Sequence, residues 1–401
     1  MIYPAVFILS FVYFYLGGRI ADTRLRNGLY CLGVLALAVF SGLRSSDVGI
    51  DVHTYVDPLY RICIRSDSIG SLWELVAADL ATKDLEAMFV LVSYLSVKLV
   101  PSLNFLLFVY AAIILFSVAI SINLLLRLFI REHHELYFAL SFLCYELLLY
   151  NMSLTMIRQS IACSIILLGT SLFLSGKCRA GLLTSAFAVT FHNTALFGLL
   201  FLPIIYLIKK NKKNFLILSL VFIFIVAVSA RVLYFPIMNL LSAILPISSR
   251  YTAYEYMTFT LPDLNLAWTY LVSMLMIGCI DILRRKVSRN LASNFLIFTV
   301  MMTIALFPIS VTLPDAGRVL YYLFYFAPVV ISLVVHVRSV ENLSSYSASG
   351  AVGQSQRLSK EKKLIANVAF AIMFAFIFWM GNVGLNDYSG TVDYRVGITW
   401  Q

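Results

Sequence analysis

Apolar runs long enough to enter a bilayer recur along almost the whole of this chain, and they leave few ways for it to fold. A span needs about 20 apolar residues to cross a hydrocarbon core of roughly 30 Å, and shorter ones occur where the bilayer thins or a helix is broken. Twelve segments qualify, at about 2 to 18, 28 to 44, 103 to 127, 137 to 151, 155 to 175, 180 to 191, 194 to 208, 214 to 230, 265 to 283, 293 to 313, 317 to 336 and 364 to 381. With 61% hydrophobic and 12% charged residues over 401 positions, this is the composition of a polytopic integral membrane protein, all-α and a single membrane domain. Residues 1 to 18 lack a basic start and are followed by Arg19, so they read as a retained span rather than a cleaved signal. The net charge of +10 does not imply a nucleic-acid partner, because the basic residues fall in short loops rather than on one folded face. Six cysteines without a CxxC pair imply neither a disulfide framework nor a metal site.

The distribution of that charge sets the topology. The loops at 19 to 28, 127 to 135, 176 to 179, 209 to 213, 284 to 289 and 336 to 363 hold 20 of the 30 Lys and Arg residues, which makes them cytoplasmic. All six share one side only if a thirteenth apolar stretch, 86 to 100, does not cross. It is then an interfacial or half-inserted helix on the outer face, where 14 of the 20 acids also lie. Outer loops at 45 to 102 and 231 to 264 and the tail from 382 are placed to cap a cavity. The stretch 337 to 363, with its SSYSASGAVGQSQ run, reads as a flexible cytoplasmic tether. There is no internal repeat and no nucleotide-binding glycine loop.

The polar groups that composition makes expensive are the ones to examine. Arg44, Asp47, Asp51, His53 and Tyr55 crowd the start of the first outer loop, with Gly42 and Gly49 freeing the backbone to turn. Arg158 lies about one turn into an apolar helix, where an arginine costs a few kcal/mol. It either snorkels or pairs with an acid such as Glu146, or it forms an anion site, since a guanidinium grips phosphate oxygens two at a time. Arg318 opens another span, with Tyr321, Tyr322 and Tyr325 on the same helical face. Arg250 with Tyr251, Tyr254 and Tyr256 is a weaker copy, and interfacial anchoring explains such tyrosines as well as sugar stacking does.

The segments 180 to 191 and 194 to 208 are both flanked by cytoplasmic charge, so the chain must enter and return. Twelve helical residues rise only about 18 Å, which puts His192 and Asn193 at a turn in the outer half of the membrane, as in a broken-helix hairpin. His192 is then a structural histidine or a general base. Glu86 opens the half-helix, where a helix dipole also favours an acid. His133, His134 and Glu135 read as a solvated cytoplasmic turn, and no cluster requires a metal or other cofactor.

In order along the chain stand Gly42-Leu43-Arg44, Gly49, Asp51, Tyr55, Glu86, Arg158, His192-Asn193-Thr194-Ala195 and Arg318. This series resembles the EpsG-like branch of the O-antigen and exopolysaccharide repeat-unit polymerases, loosely the Wzy type, over roughly residues 1 to 380. The resemblance implies a GT-C-like fold and a metal-independent, inverting glycosyltransferase at the outer face of the bacterial inner membrane. Its donor would be the growing chain on undecaprenyl diphosphate, and a new lipid-linked repeat unit would supply the acceptor hydroxyl. A chain-length regulator and a flippase are the implied partners. On this reading Arg44, Arg158 and Arg318 bind the diphosphate, and Asp51 or His192 takes the hydroxyl proton. His192 is preferred, because a carboxylate beside several arginines is a weaker base. Glu86, Tyr55, Gln159, Arg250 and Tyr322 are expected to contact the substrate. A lipid-linked oligosaccharide flippase or transporter and an O-antigen ligase are the competing expectations. An ion-coupled transporter needs an acid deep in a span, whereas the segment 137 to 151 puts Glu146 near its outer end.

Overall fold

A computed structural model describes residues 3–80, 85–130, 134–210, 290–312, 318–347 and 354–380, with positions 214, 217, 220 and 221. The described residues form helices and no strand. Five helices are long and apolar enough to cross a membrane: Thr23–Gly42, Leu103–Arg127, His134–Thr155, Ile157–Leu174 and Val319–Ser339. Shorter apolar helices accompany them at Tyr3–Gly18, Ala87–Leu99, Ala195–Lys209, Leu291–Leu306 and Leu364–Ile377. The chain is thus a helical membrane protein. The expected spans at 214 to 230 and 265 to 283, the outer loop 231 to 264 and the tail from 382 lie wholly or largely outside the described residues.

Two glycines fix the polar segment that follows the second helix. Helix α1 covers Tyr3–Gly18, and α2 (Thr23–Gly42) is started by Asp22, whose side chain accepts from the Arg24 and Leu25 amides. At the other end of α2, Asn104 Nδ2 donates to the Gly42 carbonyl at 2.6 Å. A Cβ on Gly42 would stand 2.9 Å from both the Asn104 carbonyl oxygen and Phe108 Cβ, so only glycine lets the two helices meet this closely. Gly49 takes φ +94, and a Cβ there would collide with the Leu154 carbonyl. Its turn delivers the chain into a π-helical turn, Val52–Val56, that continues as α3 (Asp57–Arg65). Gly49→Ala is expected to destabilise the protein by about 1–3 kcal/mol. The check is a lowered thermal unfolding midpoint of the purified protein in detergent.

After α4 (Ile69–Asp79), a helix covers most of the stretch 86 to 100 as α5 (Ala87–Leu99). The long α6 (Leu103–Arg127) follows, and then α7 (His134–Tyr145). α7 runs through a π-helical turn, Glu146–Tyr150, into α8 (Asn151–Thr155). Together they make one helical span to Thr155, longer than the segment 137 to 151 expected from hydropathy, because Asn151 and Ser153 are buried in protein rather than facing lipid. Glu146 therefore sits about 18 Å from the start of the span and not near its outer end. It accepts a hydrogen bond from Ser10 of α1. The π-helical turn also carries Tyr150, whose hydroxyl donates to the Leu37 carbonyl at 2.9 Å.

Met156 leaves the helical region, and α9 (Ile157–Leu174) begins directly after it. The hairpin comprises α10 (Cys178–Ala188), a turn through 189–194, α11 (Ala195–Leu199) and α12 (Phe201–Lys209). α13 (Leu291–Thr312), α14 (Arg318–Phe324), α15 (Ala327–Ser347) and α16 (Gln354–Trp379) complete the described chain. α15 continues into the stretch read as a tether, and α16 begins inside it. At the far end of α16, Trp379 Nε1 donates to Asn151 Oδ1 at 2.9 Å, fastening the C-terminal helix to α8.

Candidate functional site

Glu86 stands at the first cap position of α5, yet its side chain makes no capping hydrogen bond there. It points instead at two other elements. Oε2 accepts from Arg158 Nη1 at 2.9 Å, and Oε1 lies 2.8 Å from His192 Nδ1 and 3.3 Å from the Asn193 amide nitrogen. The beginning of α5 is held against the hairpin turn by its backbone as well, with the Met88 amide donating to the Thr190 carbonyl at 3.1 Å. Three segments far apart in sequence thus converge on one carboxylate. Glu86 is 9% exposed and Arg158 8%, so their charges face each other largely out of water.

That burial makes the pair sensitive to loss of either member. Removing one partner of a buried ion pair costs about 3–5 kcal/mol, because the other is left uncompensated. Burial by itself opposes the charge on Glu86. The His192 hydrogen bond and the Arg158 guanidinium outweigh it and hold the carboxyl below its ordinary 4.5. Acid therefore protonates the unfolded chain first. The stabilisation from this charge is full above about pH 4.5 and is lost as pH falls through the lowered value. Thermal unfolding of wild type and Glu86→Gln across a pH series should show a gap that is widest near neutrality and closes in acid.

The remaining wall comes from the polar segment after α2. The Arg158 guanidinium carbon lies 4.0 Å from the centroid of the Tyr55 ring and 6.0 Å from that of Phe89. Phe89 is stacked on Tyr110 at 5.0 Å, and Tyr110 is hydrogen-bonded to Ser93. On the opposite side of the hairpin turn, Thr194 Oγ1 and Tyr322 Oη are 2.9 Å apart, which ties the turn to α14. Arg318 opens α14 one helical turn before Tyr322, on the same face of the helix.

The structure therefore gathers Tyr55, Glu86, Arg158 and His192, and brings Tyr322 to the turn that carries His192. Gln159 is buried beside Arg158. Arg44, 2% exposed, donates to Ser41 Oγ at 3.4 Å and lines a small cleft with Tyr110, Tyr150, Ser153 and Ile157. Ile157 is the residue before Arg158, so this cleft adjoins the cluster. Asp51 is half-buried at the entry to the π-helical turn that presents Tyr55. Arg250 and the side chain of Arg318 lie outside what the structure describes. Arg158 pairs with Glu86 rather than Glu146, which accepts from Ser10 of α1.

Sequence reasoning missed the Asn193 amide, Phe89, Tyr110 and the Thr194–Tyr322 bond as parts of the site. Phe89 had a usable signal, lying three residues after Glu86 on one helical face. The contacts of Tyr110 and Thr194 depend on tertiary packing alone.

In chemical terms the cluster joins a fixed cation to an imidazole whose Nδ1 is taken by a carboxylate. With Nδ1–H donated to Glu86, Nε2 carries the lone pair and can accept a proton. Among the described residues no group of three or more His, Cys, Asp or Glu side chains is arranged to hold a metal ion. Neither the curated proteins nor the solved structures contain a match to this chain. A model of the EpsG family matches residues 27–347, a stretch that includes every member of the cluster and most of the described helices. The chain belongs to the EpsG family.

Proposed function

We propose that this protein polymerises lipid-linked oligosaccharide repeat units at the outer face of the cytoplasmic membrane. The growing glycan leaves undecaprenyl diphosphate and is joined to a hydroxyl of a new lipid-linked unit. Membership of the EpsG family supports a role in polysaccharide assembly. The observation that carries the reading is the buried junction of Arg158, Glu86 and His192, which sets an anion-binding cation beside an oriented base.

In this mechanism Arg158, with Arg44 and Arg318, holds the diphosphate and offsets the charge that develops on it. The acceptor hydroxyl oxygen attacks the anomeric carbon from the face opposite the diphosphate, giving inversion. The carbon–oxygen bond to the diphosphate breaks, and its electron pair leaves with undecaprenyl diphosphate. The hydroxyl proton passes to His192 Nε2, while Glu86 keeps the ring oriented through Nδ1. Tyr55, Tyr322, Gln159 and Arg250 are assigned to the sugars, and Asp51 is the alternative base. No step here calls on a metal. A twelve-span, GT-C-like arrangement, with a lateral entry for the polyprenyl tail, belongs to the same proposal, as do a flippase and a chain-length regulator as partners. The test is the purified protein in proteoliposomes with lipid-linked repeat units. Chains of several repeats with matching release of undecaprenyl diphosphate are expected; transfer of no second repeat would overturn the reading.

One observation favours a second reading, ion-coupled transport of the lipid-linked sugar. Glu146 is fully buried in mid-span, the position such a transporter needs for an acid. Movement of lipid-linked sugar across the same proteoliposomes, abolished by Glu146→Gln, would carry that reading; its absence would dismiss it.

A further inference from the structure

In the structure the Arg158 guanidinium already grips an anion. Nη1 donates to Glu86 at 2.9 Å, the guanidinium carbon lies over the Tyr55 ring at 4.0 Å from its centroid, and the two charged side chains are 9% and 7% exposed. A diphosphate would compete for these in-plane donors, the Nη1 held by Glu86 among them, because guanidinium N–H groups lie in the plane of the group and not over its faces. The far oxygen of the Glu86 carboxylate is secured independently, by His192 Nδ1 at 2.8 Å and the Asn193 amide at 3.3 Å. Glu86 can therefore surrender Arg158 without leaving its place.

We propose that Glu86 is a displaceable stand-in for the substrate's diphosphate, so that donor binding transfers Arg158 from the carboxylate to the phosphate oxygens and thereby strengthens the base. This rests on the reading of Arg158 as a diphosphate ligand. Before binding, the Glu86 charge is shared between Arg158 and the His192 N–H. After the exchange it bears on His192 and the Asn193 amide without Arg158, and a carboxylate that pulls harder on Nδ1–H makes Nε2 the better proton acceptor. The proton acceptor is thus fully formed only when a donor is seated. Glu86 is a positioning residue in this scheme, acting on the substrate through its two neighbours. It also lowers donor affinity, since a like charge stands beside the anion site.

The exchange makes affinity and turnover move in opposite directions in one variant. In Glu86→Gln the amide oxygen still accepts from His192 and Asn193, but the amide NH2 cannot accept from Arg158. Arg158 is released for the ligand, while the pull on Nδ1–H weakens. The experiment measures equilibrium binding of farnesyl diphosphate to the full-length protein in detergent, for wild type, Glu86→Gln and Arg158→Ala, beside turnover in proteoliposomes. Binding by Glu86→Gln about tenfold tighter than wild type, with turnover reduced, is expected. Binding by Glu86→Gln no tighter than wild type, with Arg158→Ala losing it, overturns the exchange and leaves the diphosphate site standing. Binding by Arg158→Ala equal to wild type overturns the diphosphate site itself. A helix that only needed Glu86 for packing would lose affinity and turnover together.

Discussion

Arg158→Ala is expected to lower the proposed polymerisation by at least about 100-fold, and Arg158→Lys to restore little of it. The arginine does two things that one ammonium group cannot do together. Its guanidinium carbon lies over the Tyr55 ring, 4.0 Å from the centroid, and its Nη1 donates to Glu86. Lysine offers a point charge without a stacking plane or a second parallel donor. The alanine variant also leaves Glu86 buried with a single partner side chain, so its loss of activity needs a folding control. The double variant Arg158→Met with Glu86→Gln supplies it. Removing both charges avoids a lone buried carboxylate, and apolar replacement of a buried pair is often near neutral for stability. That double variant is expected to unfold within about 1 kcal/mol of wild type and yet to make no polymer. Thermal unfolding and chain length, measured on the same preparation, check both halves.

The second large effect is at His192. His192→Ala is expected to lower turnover about 100- to 10,000-fold, the range by which a positioned general base contributes. Donor binding should change far less, since the imidazole faces the carboxylate and not the guanidinium edge. A binding constant for farnesyl diphosphate within a few-fold of wild type, beside collapsed turnover, is the pattern that separates a base from a scaffold. If Asp51 were the base, His192→Ala would keep most of the turnover, and Asp51→Asn would lose it.

Hydropathy made the helical membrane class legible, together with a helix at α5 and the turn at His192. Those features follow from segment length against bilayer thickness, which is a local property. Glu146 shows where that logic stops. Hydropathy ended its span near residue 151 because Asn151 and Ser153 are polar, while in the fold both are buried against protein, with Asn151 taken by Trp379. The same limit applied to Glu86. A lone acid before an apolar helix reads as a dipole partner, and nothing between residues 86 and 192 announces that three segments meet at its carboxylate. Arg158 is conspicuous because arginine in an apolar helix is costly, and pairing with an acid was one of the readings open to it, but that the acid is Glu86 depends on packing. The Gly42 and Gly49 spacing was visible from the start. Its reason, two close backbone approaches at Asn104 and Leu154, was visible only in three dimensions.

The most direct test of the central claim is made in cells. A deletion strain is complemented with wild type, Arg158→Ala or His192→Ala, each matched for membrane expression, and the surface polysaccharide is resolved on a gel. The account predicts a full ladder with wild type and collapse to a single repeat on the lipid core with either variant. A full ladder from both variants would contradict the site. Disappearance of all surface polysaccharide with build-up of lipid-linked units would contradict polymerisation and point to translocation or ligation instead.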